Sequence, residues 1–131
     1  METLDGVVVV GGGPVGLLTA LKLGKAGIRV VVLEAESGVS PSPRAVAYMP
    51  PTAAALDRFG LLEDIRKRAV WCPDFAYRHG DGELIAKMDW SVLAQDTKYP
   101  YMLLLGRNHV SNIIAQHLRA RTSTRTRDGS G

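Results

Sequence analysis

A single cysteine, Cys72, is all that 131 residues carry. It can close no internal disulfide, so a disulfide-framework fold is excluded and nothing asks for an oxidising compartment. Long apolar runs are missing too. The longest aliphatic stretches, such as Val7 to Val10, fall far short of the ~20 residues of a membrane helix, so no membrane span is expected. The opening Met1-Glu2-Thr3-Leu4-Asp5 holds two acids and no base. That excludes a secretory n-region and makes a cytoplasmic chain the expectation. The formal charge of +3 is local: Arg119, Arg121, Arg125 and Arg127 stand against Asp128 near the end, and the remainder holds 12 basic and 12 acidic residues. Without a basic field over the body, no nucleic-acid partner is expected. His79, His109 and His117 have no ligand spacing with Cys72, so no metal site is expected. Nothing in the sequence sets an oligomeric state. Trp71 and Trp90 are expected to pack, and Cys72 to be a buried, inert thiol.

Hydrophobic residues make up 46% and charged residues 22%, ordinary values for a globular chain and incompatible with collagen-like or broadly disordered classes. The first 35 residues are the most legible. Leu4 to Val10 reads as a strand buried on both faces. The cluster Gly11-Gly12-Gly13 follows. Pro14 to Ala26 then reads as a helix, because Pro14 suits a first helical position and Leu17, Leu18 and Leu21 give an apolar face. Gly27 stops it. Ile28 to Leu33 is a second apolar strand. Strand, helix and strand make a parallel, right-handed βαβ unit.

Beyond it, the serines and prolines of residues 37–51 predict a long loop. Short helices are expected over Thr52 to Phe59 and Leu61 to Ala69, the second with Glu63 and Asp64 at its positive end. Val70 to Arg78 and Glu83 to Met88 flank Gly80-Asp81-Gly82 as a hairpin. Tyr101 to Leu105 is a short apolar strand, and Arg107 to Ala120 a helix with Val110, Ile113, Ile114 and Leu118 inward. Residues 121–131 form a polar tail expected to be disordered.

The chemistry lies at the first strand–helix junction. Gly11, Gly13 and Gly16 form G-x-G-x-x-G there. The first glycine permits the tight turn, the second lets a pyrophosphate approach the backbone, and the third lets helix and strand pack closely. The helix from Pro14 points its N–H groups and positive dipole end at the phosphates. Glu34 ends the second strand, where a carboxylate accepts hydrogen bonds from ribose hydroxyls and repels a 2′-phosphate. FAD and NAD both suit this pattern, although a minimal NAD domain runs directly into another crossover rather than into a Ser/Pro loop and a hairpin.

At these residues the sequence resembles the FAD-dependent aromatic hydroxylases, the single-component flavoprotein monooxygenases of the para-hydroxybenzoate hydroxylase and phenol hydroxylase type. The likeness starts with Val7-Val8-Val9-Val10-Gly11-Gly12-Gly13-Pro14-Val15-Gly16-Leu17 and continues through Pro43-Arg44-Ala45-Val46-Ala47-Tyr48-Met49-Pro50 and Leu56 to Ile65. It reappears at Tyr99-Pro100 and Leu105-Gly106-Arg107-Asn108-His109-Val110, covering about residues 4–120. The resemblance implies that residues 1–120 are the N-terminal part of an FAD-binding domain. Its fold would be α/β: a Rossmann-like βαβ unit with a helical and hairpin insertion and an incomplete parallel sheet. It implies that Arg44 lies against the FAD pyrophosphate or ribose, that Ala47 is a small residue near the cofactor, and that Arg107 reaches the flavin side. In the family, NAD(P)H reduces FAD and one oxygen atom is delivered to an aromatic or similar small molecule.

Relatives of this kind carry an Asp-Gly segment touching both cofactors and a Gly-Asp segment holding the flavin ribose. These two later segments are absent here; Asp128-Gly129 has the letters but lies in the polar tail. The 131 residues are therefore expected to hold the adenosine half of an FAD site, with cofactor-binding residues Gly11, Gly13, Pro14, Gly16, Glu34, Arg44, Ala47 and Arg107, without being catalytically complete. Two alternatives stay open: a truncated, non-catalytic nucleotide-binding module or pseudoenzyme, and a fragment of an NAD-dependent dehydrogenase.

Overall fold

The computed structural model describes residues 5–42 and 44–122. In chain order the elements are β1 (Val7–Val10), α1 (Pro14–Lys25), β2 (Val30–Leu33), β3 (Ala47–Tyr48), α2 (Pro50–Arg58), α3 (Leu62–Arg66), β4 (Val70–Cys72), β5 (Asp74–Arg78), β6 (Leu84–Asp89), a 3-10 turn (Trp90–Leu93), β7 (Met102–Leu104) and α4 (Arg107–Thr122). The described residues divide into two compact units, 5–42 with 107–122, and 44–106.

The first unit is the expected βαβ crossover with α4 added. β1 and β2 pair in parallel, from Val7 opposite Val30 to Val10 opposite Leu33. The expectation that β1 is buried on both faces is overturned: Val8 is 44% and Val10 82% exposed. Burial on both faces requires neighbouring strands and helices on either side. Among the described residues this sheet is two strands wide. Its core lies instead between the helices, where Leu17, Ala20 and Leu21 of α1 and Val110, Ile113 and Ile114 of α4 are buried. α4 runs to Thr122, two residues into the segment expected as a tail; the rest of that segment lies outside the described residues.

The second unit holds a three-stranded antiparallel sheet in the order β3-β7-β4. β7 takes the centre because it is apolar throughout, with Met102 and Leu103 buried. α2 and α3 supply Ala53, Leu56, Leu62 and Ile65 to the same core, and Leu61 between them joins it. Several boundaries differ from the sequence reading. The long loop ends early, since Ala47 and Tyr48 pair with Leu104 and Leu103 and α2 begins at Pro50, where a proline fits the first turn. α3 spans only five residues. The strand expected over 70–78 is cut at Pro73, which has no N–H for a ladder, so β4 joins β7 while β5 pairs with β6. That β5–β6 hairpin is as expected, with Lys87 and Asp74 bridged at 2.9 Å. Trp71 does not bury: it is 59% exposed, with an edge contact to Tyr101 at 5.4 Å. Trp90 and Cys72 are half-buried.

Asp57 on α2 anchors the segment leading into β7. It accepts hydrogen bonds from the Tyr99 hydroxyl and from Lys98 Nζ, the latter at 2.9 Å. The Tyr99 hydroxyl, and then Lys98, hold the Asp57 carboxyl below its ordinary value. A folded-state pKa below the unfolded one means that the unfolded chain binds more protons through that range. The stabilisation from Asp57 is thus complete above about pH 4 and drains away as pH falls through the depressed folded value. Acid titration of thermal stability should show Asp57→Asn with a flatter decline below about pH 4 than the native chain. Parallel declines would remove this cluster from the acid response.

Among the described residues, no helix is long and apolar enough to cross a membrane, and no group of three or more His, Cys, Asp or Glu side chains is placed to hold a metal.

Candidate functional site

The valine run of β1 ends where Gly11 adopts a φ of 103°, a left-handed conformation that favours glycine. Its N–H still donates to Leu33 O at 2.7 Å, carrying the ladder one step beyond β1. Gly12 N–H then donates to Glu34 Oε2 at 2.5 Å. Gly13 caps α1, and its carbonyl accepts from Leu17 N–H at 2.9 Å. No side chain caps this helix end and no acid stands in its first turn, while Pro14 occupies the opening position. The first-turn N–H groups therefore have no intrahelical or side-chain acceptor, which is the arrangement that binds anions.

Three glycines of the turn are constrained differently. A Cβ on Gly16 would stand 2.0 Å from Gly11 O, so helix and turn touch backbone to backbone. A Cβ on Gly12 would meet Glu34 Oε2 at 2.8 Å. A Cβ on Gly13 would meet nothing within 4 Å, and its φ of −72° and ψ of 176° suit any residue. The protein itself leaves that space open.

Glu34 is fixed by the backbone on both sides. Its Oε1 accepts from Glu36 N–H at 3.1 Å while Oε2 takes the Gly12 bond. The Glu36 N–H first, and Gly12 N–H next, hold its pKa below the usual carboxylate value. The group is ionised at neutral pH and offers its remaining lone pairs as acceptors.

These residues line a cleft of about 130 Å³ within the first unit. One wall is Gly12, Gly13 and Pro14; another is Glu34, Glu36 and residues 38–40; the third is the first turn of α4, with Arg107, Asn108 and Ser111. Whole small-molecule sites run to roughly 300–1,000 Å³, so the cleft suits one segment of a dinucleotide. An uncapped helix end, an open position at Gly13 and an ionised acceptor at Glu34 together fit the sugar–phosphate part. Asn108 Oδ1 adds a buried acceptor that has no partner among the described residues.

Of the residues expected from the sequence, Gly13, Pro14, Glu34 and Arg107 line this cleft, and Gly11 and Gly16 shape the backbone beneath it. Arg44 and Ala47 belong to the second unit. Arg44 is exposed, and it precedes Ala45, which holds a φ of 56°. A non-glycine residue there costs roughly 1–2 kcal/mol. Ala47 lies in β3 rather than in a loop. Sequence reasoning missed Gly12, Glu36, Asn108 and Ser111. Gly12 stood at a free position of the motif, and the other three carry no local signal.

Over residues 5–130 the chain matches the FAD binding domain family. It is 92% identical over 119 residues to para-nitrophenol 4-monooxygenase of Pseudomonas sp. strain WBC-3, a match covering 91% of this chain and 30% of that protein. It is 47% identical over 131 residues to 6-hydroxy-3-succinoylpyridine 3-monooxygenase of Pseudomonas putida, covering 99% and 33%. The crystal structure of p-nitrophenol 4-monooxygenase from Pseudomonas putida DLL-E4 aligns with a TM-score of 0.88 at 88% identity, covering 92% of this chain and 30% of that one. A ternary complex of aklavinone-11 hydroxylase with FAD and aklavinone aligns at 0.72 and 26% identity, covering 92% and 25%. The chain spans about a third of the length of the curated relatives it matches, in their N-terminal part.

Proposed function

We propose, since this chain belongs to the FAD binding domain family and its homologues are FAD-dependent aromatic monooxygenases, that its cleft holds the adenosine-diphosphate half of FAD. The observation that carries this reading is the ionised Glu34 carboxylate, pinned by two backbone N–H groups beside an uncapped helix end. Glu34 accepts from ribose hydroxyls and rejects a 2′-phosphate by like charge. Gly13 lets the pyrophosphate close on the N–H groups of α1. Arg107, half-buried at the cleft, reaches toward the flavin side of the dinucleotide, and the exposed Arg44 offers its guanidinium fork to the pyrophosphate or ribose. Ala47 keeps the chain small near the cofactor.

FAD, held by these residues, would supply the redox and oxygen chemistry of hydroxylating a small aromatic substrate, with NAD(P)H as the electron source and O2 as the oxygen donor. The residues here bind and orient it. None is a suitable acid or base for oxygen transfer, so the 131 residues by themselves bind nucleotide without turnover. NAD(P)H oxidation above the free-flavin background would reverse that. A cytoplasmic setting belongs to the same reading.

Calorimetric titration with FAD, ADP and NAD tests the assignment. Glu34→Ala should weaken ADP and FAD by about tenfold or more, the usual consequence of losing a charged hydrogen-bond partner. NAD binding tighter than both ADP and FAD would instead favour the dehydrogenase alternative.

A further inference from the structure

We infer that Asn108 is a second ribose-recognition residue in this cleft, its amide oxygen accepting from a ribose hydroxyl while its amide nitrogen holds the cleft wall. The inference rests on the reading of the cleft as an adenosine-diphosphate site. Asn108 is the second residue of α4, and its Nδ2 donates to Pro41 O at 3.3 Å, 67 residues away in the chain. That bond ties the segment after Glu34 to the first turn of α4. It also fixes the amide orientation, because a flipped amide would set Oδ1 against the Pro41 carbonyl, acceptor facing acceptor. Oδ1 is thereby left facing elsewhere, and it is buried without a partner among the described residues. Buried acceptors are rarely left unpaired, because the loss of water is not returned.

The chemistry of the ligand narrows the missing donor. Phosphate oxygens at neutral pH only accept. An adenine nucleotide donates solely through its ribose hydroxyls and its adenine amino group. Asn108 shares its cleft with an open position at Gly13 and an acceptor at Glu34, so on the proposed reading the sugar is the part of the ligand that falls among them. Two acceptors, Glu34 and Asn108, then divide the two hydroxyls.

The test is calorimetry with ADP, 2′-deoxy-ADP, 3′-deoxy-ADP and inosine diphosphate on the native chain, Asn108→Ala and Asn108→Asp, with thermal melts alongside. The native chain should lose affinity toward both deoxy sugars, by about five- to tenfold toward the one that lacks the hydroxyl bound by Asn108, and Asn108→Ala should lose as much toward ADP with no further loss for that sugar. Asn108→Asp, which keeps an acceptor, should retain the discrimination. If Asn108→Ala does not fold, Asn108→Ser takes its place. Equal affinity of the native chain for ADP and both deoxy analogues overturns the inference, as does unchanged discrimination in Asn108→Ala. A coupling that appears with inosine diphosphate instead assigns the contact to the adenine amino group and overturns it too. Failure of the native chain to bind ADP at all overturns the underlying cleft reading.

Discussion

Gly13→Val should fold like the native chain and bind neither ADP nor FAD. Its backbone sits at φ −72° and ψ 176°, where valine is at ease, and among the described residues a Cβ there meets nothing within 4 Å beyond its chain neighbours. The position caps α1 without a side-chain bond, so no capping hydrogen bond is lost. Replacing glycine by valine at such a cap costs at most about 1 kcal/mol. The added isopropyl group instead occupies the space in which a pyrophosphate would meet the N–H groups of α1. Loss of affinity on the order of a hundredfold or more is expected, with a melting curve close to native. A valine variant that binds ADP as tightly as the native chain would place the phosphates elsewhere.

Gly16→Ala should behave in the opposite way and fail before any ligand is added. Its Cβ would stand 2.0 Å from Gly11 O, 3.1 Å from Gly11 C and 3.3 Å from Val9 Cγ1. Two of those atoms are backbone, so relief requires α1 to move away from the end of β1. The expected cost is about 3 kcal/mol or more, at or beyond the upper end of overpacking losses, against total stabilities of about 5–15 kcal/mol. Chemical denaturation followed by circular dichroism measures it. An alanine variant within about 1 kcal/mol of native would show that α1 and β1 are not held at this distance. The two substitutions would thus separate glycines of one hexapeptide: Gly16 packs backbone against backbone within the fold, and Gly13 is the one that the proposed function gives to the ligand.

What the sequence revealed follows the range of its signals. The βαβ unit was readable because the valine runs, the glycine cluster and Pro14 are all local. The hairpin was readable for the same reason, from Gly80-Asp81-Gly82 between the runs 70–78 and 83–88. The three-stranded sheet was not. β3 pairs Ala47 with Leu104, 57 positions further along the chain, and two- and three-residue strands carry too little periodicity to declare a partner. Solvent exposure of β1 was misread because a run of valines reports what would cover a strand in a wide sheet, not how many neighbours it has. In the site, the motif glycines and Glu34 were legible from spacing. Asn108 and Ser111 were not, since their place beside the glycine turn follows from the packing of α4 on α1, through Leu21, Ile113 and Ile114.

The pairing of β1 with β2 also sets an order of events. A hairpin such as β5–β6 closes over a short turn and can form in about 1–10 μs. Two parallel strands cannot meet until the crossover between them has formed and folded back, and here that crossover is α1. Until then the tetravaline edge at 7–10 stands unpaired, with high β-propensity, no charge and no proline. Refolding is therefore a race between α1 docking within one chain and strand pairing between chains. The first rate is independent of concentration and the second rises with it, so recovery of native protein should fall as the refolding mixture is made more concentrated.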